Sequence, residues 1–86
     1  MKILSLLGKR HTFSILRILT QDGVLRFNTI AKRVGGSTKT ITERLNELVA
    51  HGVVKREAFA EIPPRVEYSL TEMGLGLKPT FRYIKE

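Results

Sequence analysis

Between Ser37 and His51 the chain sets Thr38, Lys39, Thr40, Thr42 and Glu43 close together. These are hydroxyl, ammonium and carboxylate groups, the set that can read the edges of base pairs. A lysine donates to guanine O6 and N7, and a glutamate accepts from cytosine N4. A threonine offers a hydroxyl and a methyl that suits thymine. At 100° per residue, Lys39, Glu43, Asn46 and Ala50 fall opposite the apolar stripe Ile41, Leu45, Leu48 and Val49, with Thr40, Thr42 and Glu47 on the flanks. The alternative for such a face is an ordinary solvated side of an amphipathic helix. Lys39 and Arg44 balance Glu43 and Glu47 here, so any strong affinity for an anionic polymer has to come from bases elsewhere.

Those other bases are plentiful. Fifteen Lys and Arg against eight Asp and Glu give a net charge of +7 over 86 residues. From Met1 to Gly36 there are seven bases and one acid; the remainder is nearly balanced, with eight bases and seven acids. A small domain with this imbalance suggests an anionic partner, most often nucleic acid. Arg65 follows Pro63-Pro64 and has two readings: a tip charge paired with Glu61 or Glu67, or a guanidinium reaching a phosphate or a narrow minor groove. Arg26 is either a solvated edge charge or a backbone contact. Arg44 either braces the domain through Glu47 or touches phosphate. Ser37 and Asn28 are each first a helix cap, with a phosphate contact secondary.

Other chemistries find no support. No cysteine is present, which excludes disulfides, thiolate zinc sites and thiol catalysis in these 86 residues. His11 and His51 are isolated, so no metal site is expected. Asp22 is the sole aspartate and sits at a turn, so no Ser-His-Asp set assembles and no enzyme is expected. No phosphate loop is present, so no cofactor is expected. The aromatic residues follow apolar patterning and lack the interleaving with bases that an RNA-stacking platform needs. The longest near-apolar stretch, Ile3 to Leu7, cannot span a bilayer. The expected location is therefore the cytoplasm, with the nucleoid.

The elements that must position these residues follow from period and punctuation. Phe13 to Leu19 is apolar around most of a helix, which places it centrally in a core or against a second subunit. Gln21-Asp22-Gly23 stops it. Val24 to Phe27 is a short strand, and Asn28 is expected to cap a helix to Val34. Gly35-Gly36 forms the turn, and Ser37 caps the helix that Gly52 ends. Val53 to Ala60 and Val66 to Leu70 read as strands around the Pro63-Pro64 tip. Thr71 caps a last helix carrying Leu77, Phe81 and Ile84, which Pro79 kinks or delays. The order helix, strand, helix, helix, hairpin, helix predicts a winged helix-turn-helix. The fold class is mainly α with a small β-wing, in one domain spanning 1–86.

Leu25 to Asn28, Ser37 to Leu48, Gly52 to Val54 and above all Pro63 to Gly74 (PPRVEYSLTEMG) resemble the HxlR family of bacterial and archaeal transcription regulators. The resemblance runs from about Leu6 to about Tyr83. It implies sequence-specific binding of double-stranded DNA, a homodimer built largely from terminal helices, and inverted-repeat operators. The helix 37–51 is then expected in the major groove and the wing 61–65 on adjacent backbone or minor groove. The expected DNA-binding residues are Ser37, Thr38, Lys39, Thr40, Thr42, Glu43, Arg44, Arg65 and Arg26. The expected dimer contacts are Leu4, Leu7, Phe13, Ile15, Leu77, Phe81 and Ile84, within segments of about 1–20 and 71–86. A two-fold dimer would hold its recognition helices ~34–36 Å apart. Two departures stand out: His11 occupies the place of the family's tryptophan in Gly8-Lys9-Arg10-His11, and the cysteine through which several members sense oxidants is missing. The competing function is a winged-helix subunit that docks on protein without reading bases.

Overall fold

The computed structural model describes residues 2–81, with side chains through Pro79. Its element order is α1 (Ile3–Leu7), α2 (Thr12–Asp22), β1 (Val24–Arg26), α3 (Phe27–Val34), α4 (Thr38–Ala50), β2 (Val54–Phe59), β3 (Arg65–Leu70), α5 (Glu72–Gly76) and α6 (Lys78–Phe81). This is a winged helix-turn-helix, mainly helical with a small antiparallel sheet, as the pattern predicts.

The buried apolar residues form one cluster. Ile15, Leu16 and Leu19 of α2 meet Ile30 of α3, Ile41, Leu45 and Leu48 of α4, and Val53, Val54 and Tyr68 at the sheet. The near all-round apolarity of α2 is thus used within one chain. Phe13 and Ile15 were expected at a subunit interface; both are buried in this core, and Ile15 has no accessible surface to offer a second copy. Leu7 and Leu77 pack partly against the same cluster. Leu4 is 79% exposed. The Phe81 side chain and Ile84 lie outside the described residues.

The sheet has three strands in the order β1-β3-β2, all antiparallel. The isolated strand and the hairpin of the sequence reading are therefore one unit. Val24 pairs with Ser69, Leu25 with Tyr68 and Arg26 with Glu67. β2 pairs Phe59 with Arg65 and Glu57 with Glu67. Because side chains alternate across a strand, Arg65, Glu67 and Ser69 share the face opposite buried Tyr68.

Two local outcomes differ from the sequence expectations, and a third is the interruption expected from Pro79. α1 exists, although five residues are too few to display a helical period. Leu6 is its buried anchor, and Thr12 Oγ1 donates to the Leu6 carbonyl at 2.9 Å. α3 starts before Asn28: Arg26 is its N-cap, in extended conformation and without a side-chain bond, because β1 runs directly into the helix. The last helix is broken into α5 and α6 at Leu77. Pro79 lacks the donor and crowds the carbonyl four residues back, at Leu75. The other caps are as read: Ser37 Oγ accepts from Thr40 N at 3.1 Å, and Thr71 Oγ1 accepts from Gly74 N at 3.0 Å. Gly35 adopts φ +81°, the left-handed conformation that a glycine reaches without strain.

Candidate nucleic-acid interface

α4 holds its polar face by burying the opposite one. Ile41, Leu45 and Leu48 have no exposure, and Thr38, Lys39, Thr42 and Glu43 are all exposed. Side chains of the first helical turns point toward the end where a groove would be entered. Ser37 is exposed, but its hydroxyl is occupied: it caps the helix and donates to Thr40 Oγ1 at 2.9 Å. Thr40 is half-buried by the same arrangement. The exposed polar row is thus Thr38, Lys39, Thr42 and Glu43.

Arg44 does not join this row. Its side chain is 12% exposed and bonds Glu47, with Glu43 a second carboxylate at 3.6 Å. Of its two roles, bracing is the one seen. Lys9 Nζ, from the loop before α2, donates to the other oxygen of Glu47 at 2.8 Å. Sequence reasoning missed this contact, since nothing local links positions 38 residues apart. The Lys9 hydrogen bond holds the Glu47 carboxyl below its ordinary value near 4.5, outweighing the desolvation that raises it, with the Arg44 charge acting in the same direction as Lys9.

A carboxyl with a lowered folded-state pKa stabilises the fold above its unfolded pKa, and that contribution is lost as pH falls through the folded value. Lys9→Met is therefore expected to be less stable than wild type at pH 7. The two should converge as pH drops below about 4.5. Urea unfolding at pH 7 and at pH 3.5 reads this directly; a difference that is the same at both would refute the assignment.

His11, from the same loop, has φ +71°. Its ring lies against the turn between α3 and α4, where a Cβ placed on Gly36 would meet ring atoms Cδ2 and Nε2 at 3.0 Å. The loop Gly8 to His11 thereby touches both α4 and the turn that precedes it.

The wing completes the surface. Arg65 lies with its guanidinium carbon 4.0 Å from the Phe59 ring centroid, between Glu61 at 3.3 Å and Glu67 at 3.4 Å. Arg26 is exposed and stands in register with Glu67. Arg26, Phe27, Asn28, Pro63, Pro64, Arg65 and Val66 line one cleft of about 400 Å³. Two bases that the sequence separates by 39 positions therefore share a cleft, and Asn28, freed from capping, joins them. The first reading of Asn28, a cap, fails, and its exposed side chain is left for the secondary one, a phosphate contact. Such a set can hold a phosphate but offers no catalytic arrangement. Among the described residues no three His, Asp or Glu side chains group as a metal set, and no helix is long and apolar enough to cross a membrane.

A family model described as HxlR-like helix-turn-helix matches residues 6–86. An HTH-type transcriptional regulator of Halalkalibacterium halodurans is 38% identical over 84 residues, covering 96% of this chain and 74% of the relative. Other curated relatives are longer, the chain spanning 57% of one and 51% of another. The reduced form of the transcriptional regulator YodB from Bacillus subtilis superposes with a TM-score of 0.83 at 39% identity, covering 94% of this chain and 79% of that one. A transcriptional regulator of the MarR family from Porphyromonas gingivalis superposes with a TM-score of 0.85 at 27% identity, covering 93% and 78%.

Proposed function

Because the chain belongs to the HxlR-like helix-turn-helix family, we propose that it regulates transcription as a homodimer that binds double-stranded DNA at an inverted-repeat site. Its family and relatives are transcription regulators, not enzymes. The observation that carries the DNA-binding reading is the division of α4. One side is sealed into the core, and the other presents Thr38, Lys39, Thr42 and Glu43 to solvent at the N-terminal half. In this reading α4 enters the major groove, and the cleft of Arg26, Asn28 and Arg65 faces the adjacent backbone or minor groove. Leu4 on α1, with half-exposed Met73 and Leu75 on α5, supplies apolar surface for a second copy. The terminal segments then contribute to the dimer, and the whole chain acts as one domain in the cytoplasm. Within these 86 residues there is no cysteine to carry a thiol signal.

Fluorescence anisotropy on duplex DNA across a salt series tests the reading. Affinity should fall linearly on a log-log plot as phosphate contacts release counterions. Lys39→Ala should cost about 1–3 kcal/mol at the base pair it reads and change which sequences are preferred. Arg65→Ala should weaken binding most on sequences with a narrow minor groove and reduce the salt slope there by about 1. A flat salt response, or both variants binding like wild type, would refute it. A mass that stays monomeric at all concentrations would refute the dimer.

A further inference from the structure

Building on the DNA-binding reading, we propose that Glu61 and Glu67 withhold Arg65 from DNA, so that the wing engages only a groove whose potential is strong enough to displace them. Three contacts hold the guanidinium. Glu61 lies 3.3 Å from one terminal nitrogen, Glu67 lies 3.4 Å from Nε, and the Phe59 ring covers one face at 4.0 Å. The side chain is only 26% exposed. Its Nε is buried and finds no hydrogen bond of good geometry, so the hold on it is electrostatic and incomplete.

The charge balance of the wing gives this arrangement its consequence. From Val54 to Leu70 three bases, Lys55, Arg56 and Arg65, face three acids, Glu57, Glu61 and Glu67. The closed wing is neutral and has no net attraction for an ordinary stretch of duplex. Ion pairs at a surface are weak, so the two carboxylates can be displaced. A single phosphate offers Arg65 about what each glutamate already gives it. A narrow A/T-rich minor groove offers more, because its negative potential is enhanced. Glu61 and Glu67 thus set a threshold: they act on DNA chiefly through Arg65, and the cost of displacing them falls on the complex in which Arg65 enters the groove.

The test uses two duplexes of equal length, one with a central A-tract and one of G/C pairs alone, with the intact chain at fixed salt. Glu61→Gln and Glu67→Gln keep side-chain volume and remove the clamp. Each should tighten the A-tract duplex about three- to fivefold, because that complex must displace the glutamates, and the G/C duplex less, which widens the preference. Glu57→Gln is the control. Its carboxylate stands opposite Glu67 in the sheet, and no ion pair joins it to Arg65 among the described residues. It should tighten both duplexes equally and by a smaller factor. In an Arg65→Ala background the gains from Glu61→Gln and Glu67→Gln should shrink to that of the control. Gains that survive without Arg65, or that match the control, would overturn the clamp while leaving the DNA-binding reading intact. A wild type that binds neither duplex in a salt-dependent way would overturn that reading and the clamp with it.

Discussion

Gly74→Ala is expected to destabilise the domain by about 2–4 kcal/mol, and Gly76→Ala, two residues on, to stabilise it by up to about 1 kcal/mol. The two glycines share a short helix and differ only in what surrounds them. A Cβ on Gly74 would fall 2.2 Å from the Val53 carbonyl oxygen and 3.2 Å from Leu70 Cδ2, whereas one on Gly76 meets nothing within 4 Å. The Val53 oxygen cannot step aside. It accepts from Thr71 N at 3.0 Å and from Thr71 Oγ1 at 3.1 Å, and that same Oγ1 caps α5 by accepting from Gly74 N. Making room for a methyl group means opening the joint between the start of β2 and the start of α5. At about 4–8 °C per kcal/mol for a domain of this size, thermal unfolding should show a drop of at least about 8 °C for Gly74→Ala and a small rise for Gly76→Ala. Equal melting temperatures would mean the joint is looser than the contact implies.

The second large effect is expected at Leu45, which has no exposed surface and anchors the inner side of α4. Leu45→Ala removes buried methyl groups and leaves a cavity, at a cost of about 2–5 kcal/mol. Small domains hold total stabilities at the lower part of the 5–15 kcal/mol range, so this loss is a large share of the whole. Urea unfolding should show a lower midpoint with an unchanged slope. Thr42→Ala, on the opposite side of the same helix, should stay within about 0.5 kcal/mol of wild type. Reduced stability at Thr42 comparable to that at Leu45 would contradict the division of α4 on which the proposed function rests.

Much of this architecture is legible along the chain because it is local. The apolar positions Ile41, Leu45 and Leu48 recur at helical spacing, so the inner side of α4 and its polar face can be assigned together. Ser37 and Thr71 act as caps where their types and places indicate. The proline pair marks the turn between β2 and β3. Locality also explains the misses. Asn28 fits a cap, yet Arg26 is pulled into β1 by Glu67, 41 positions away, and the helix begins at Phe27. Phe13 and Ile15 are apolar on a side that looks spare, until the helices and sheet of the same chain close over it. α1 is too short to announce itself by period and depends on burying Leu6.

The candidate site divides along the same line. Residue type and helical phase were enough to nominate Thr38, Lys39, Thr42 and Glu43, since a helix face is a property of spacing alone. Which bases stand free was decided in three dimensions. Arg44 is consumed by Glu47, which Lys9 grips from the far end of the chain, and Arg65 is enclosed by Glu61, Glu67 and Phe59. Arg26 and Asn28 gain a common cleft with Arg65 only because β1 pairs with β3. Charge is written residue by residue, but its availability depends on neighbours that the chain brings together only on folding, where an ion pair takes a cation out of use without changing the net total.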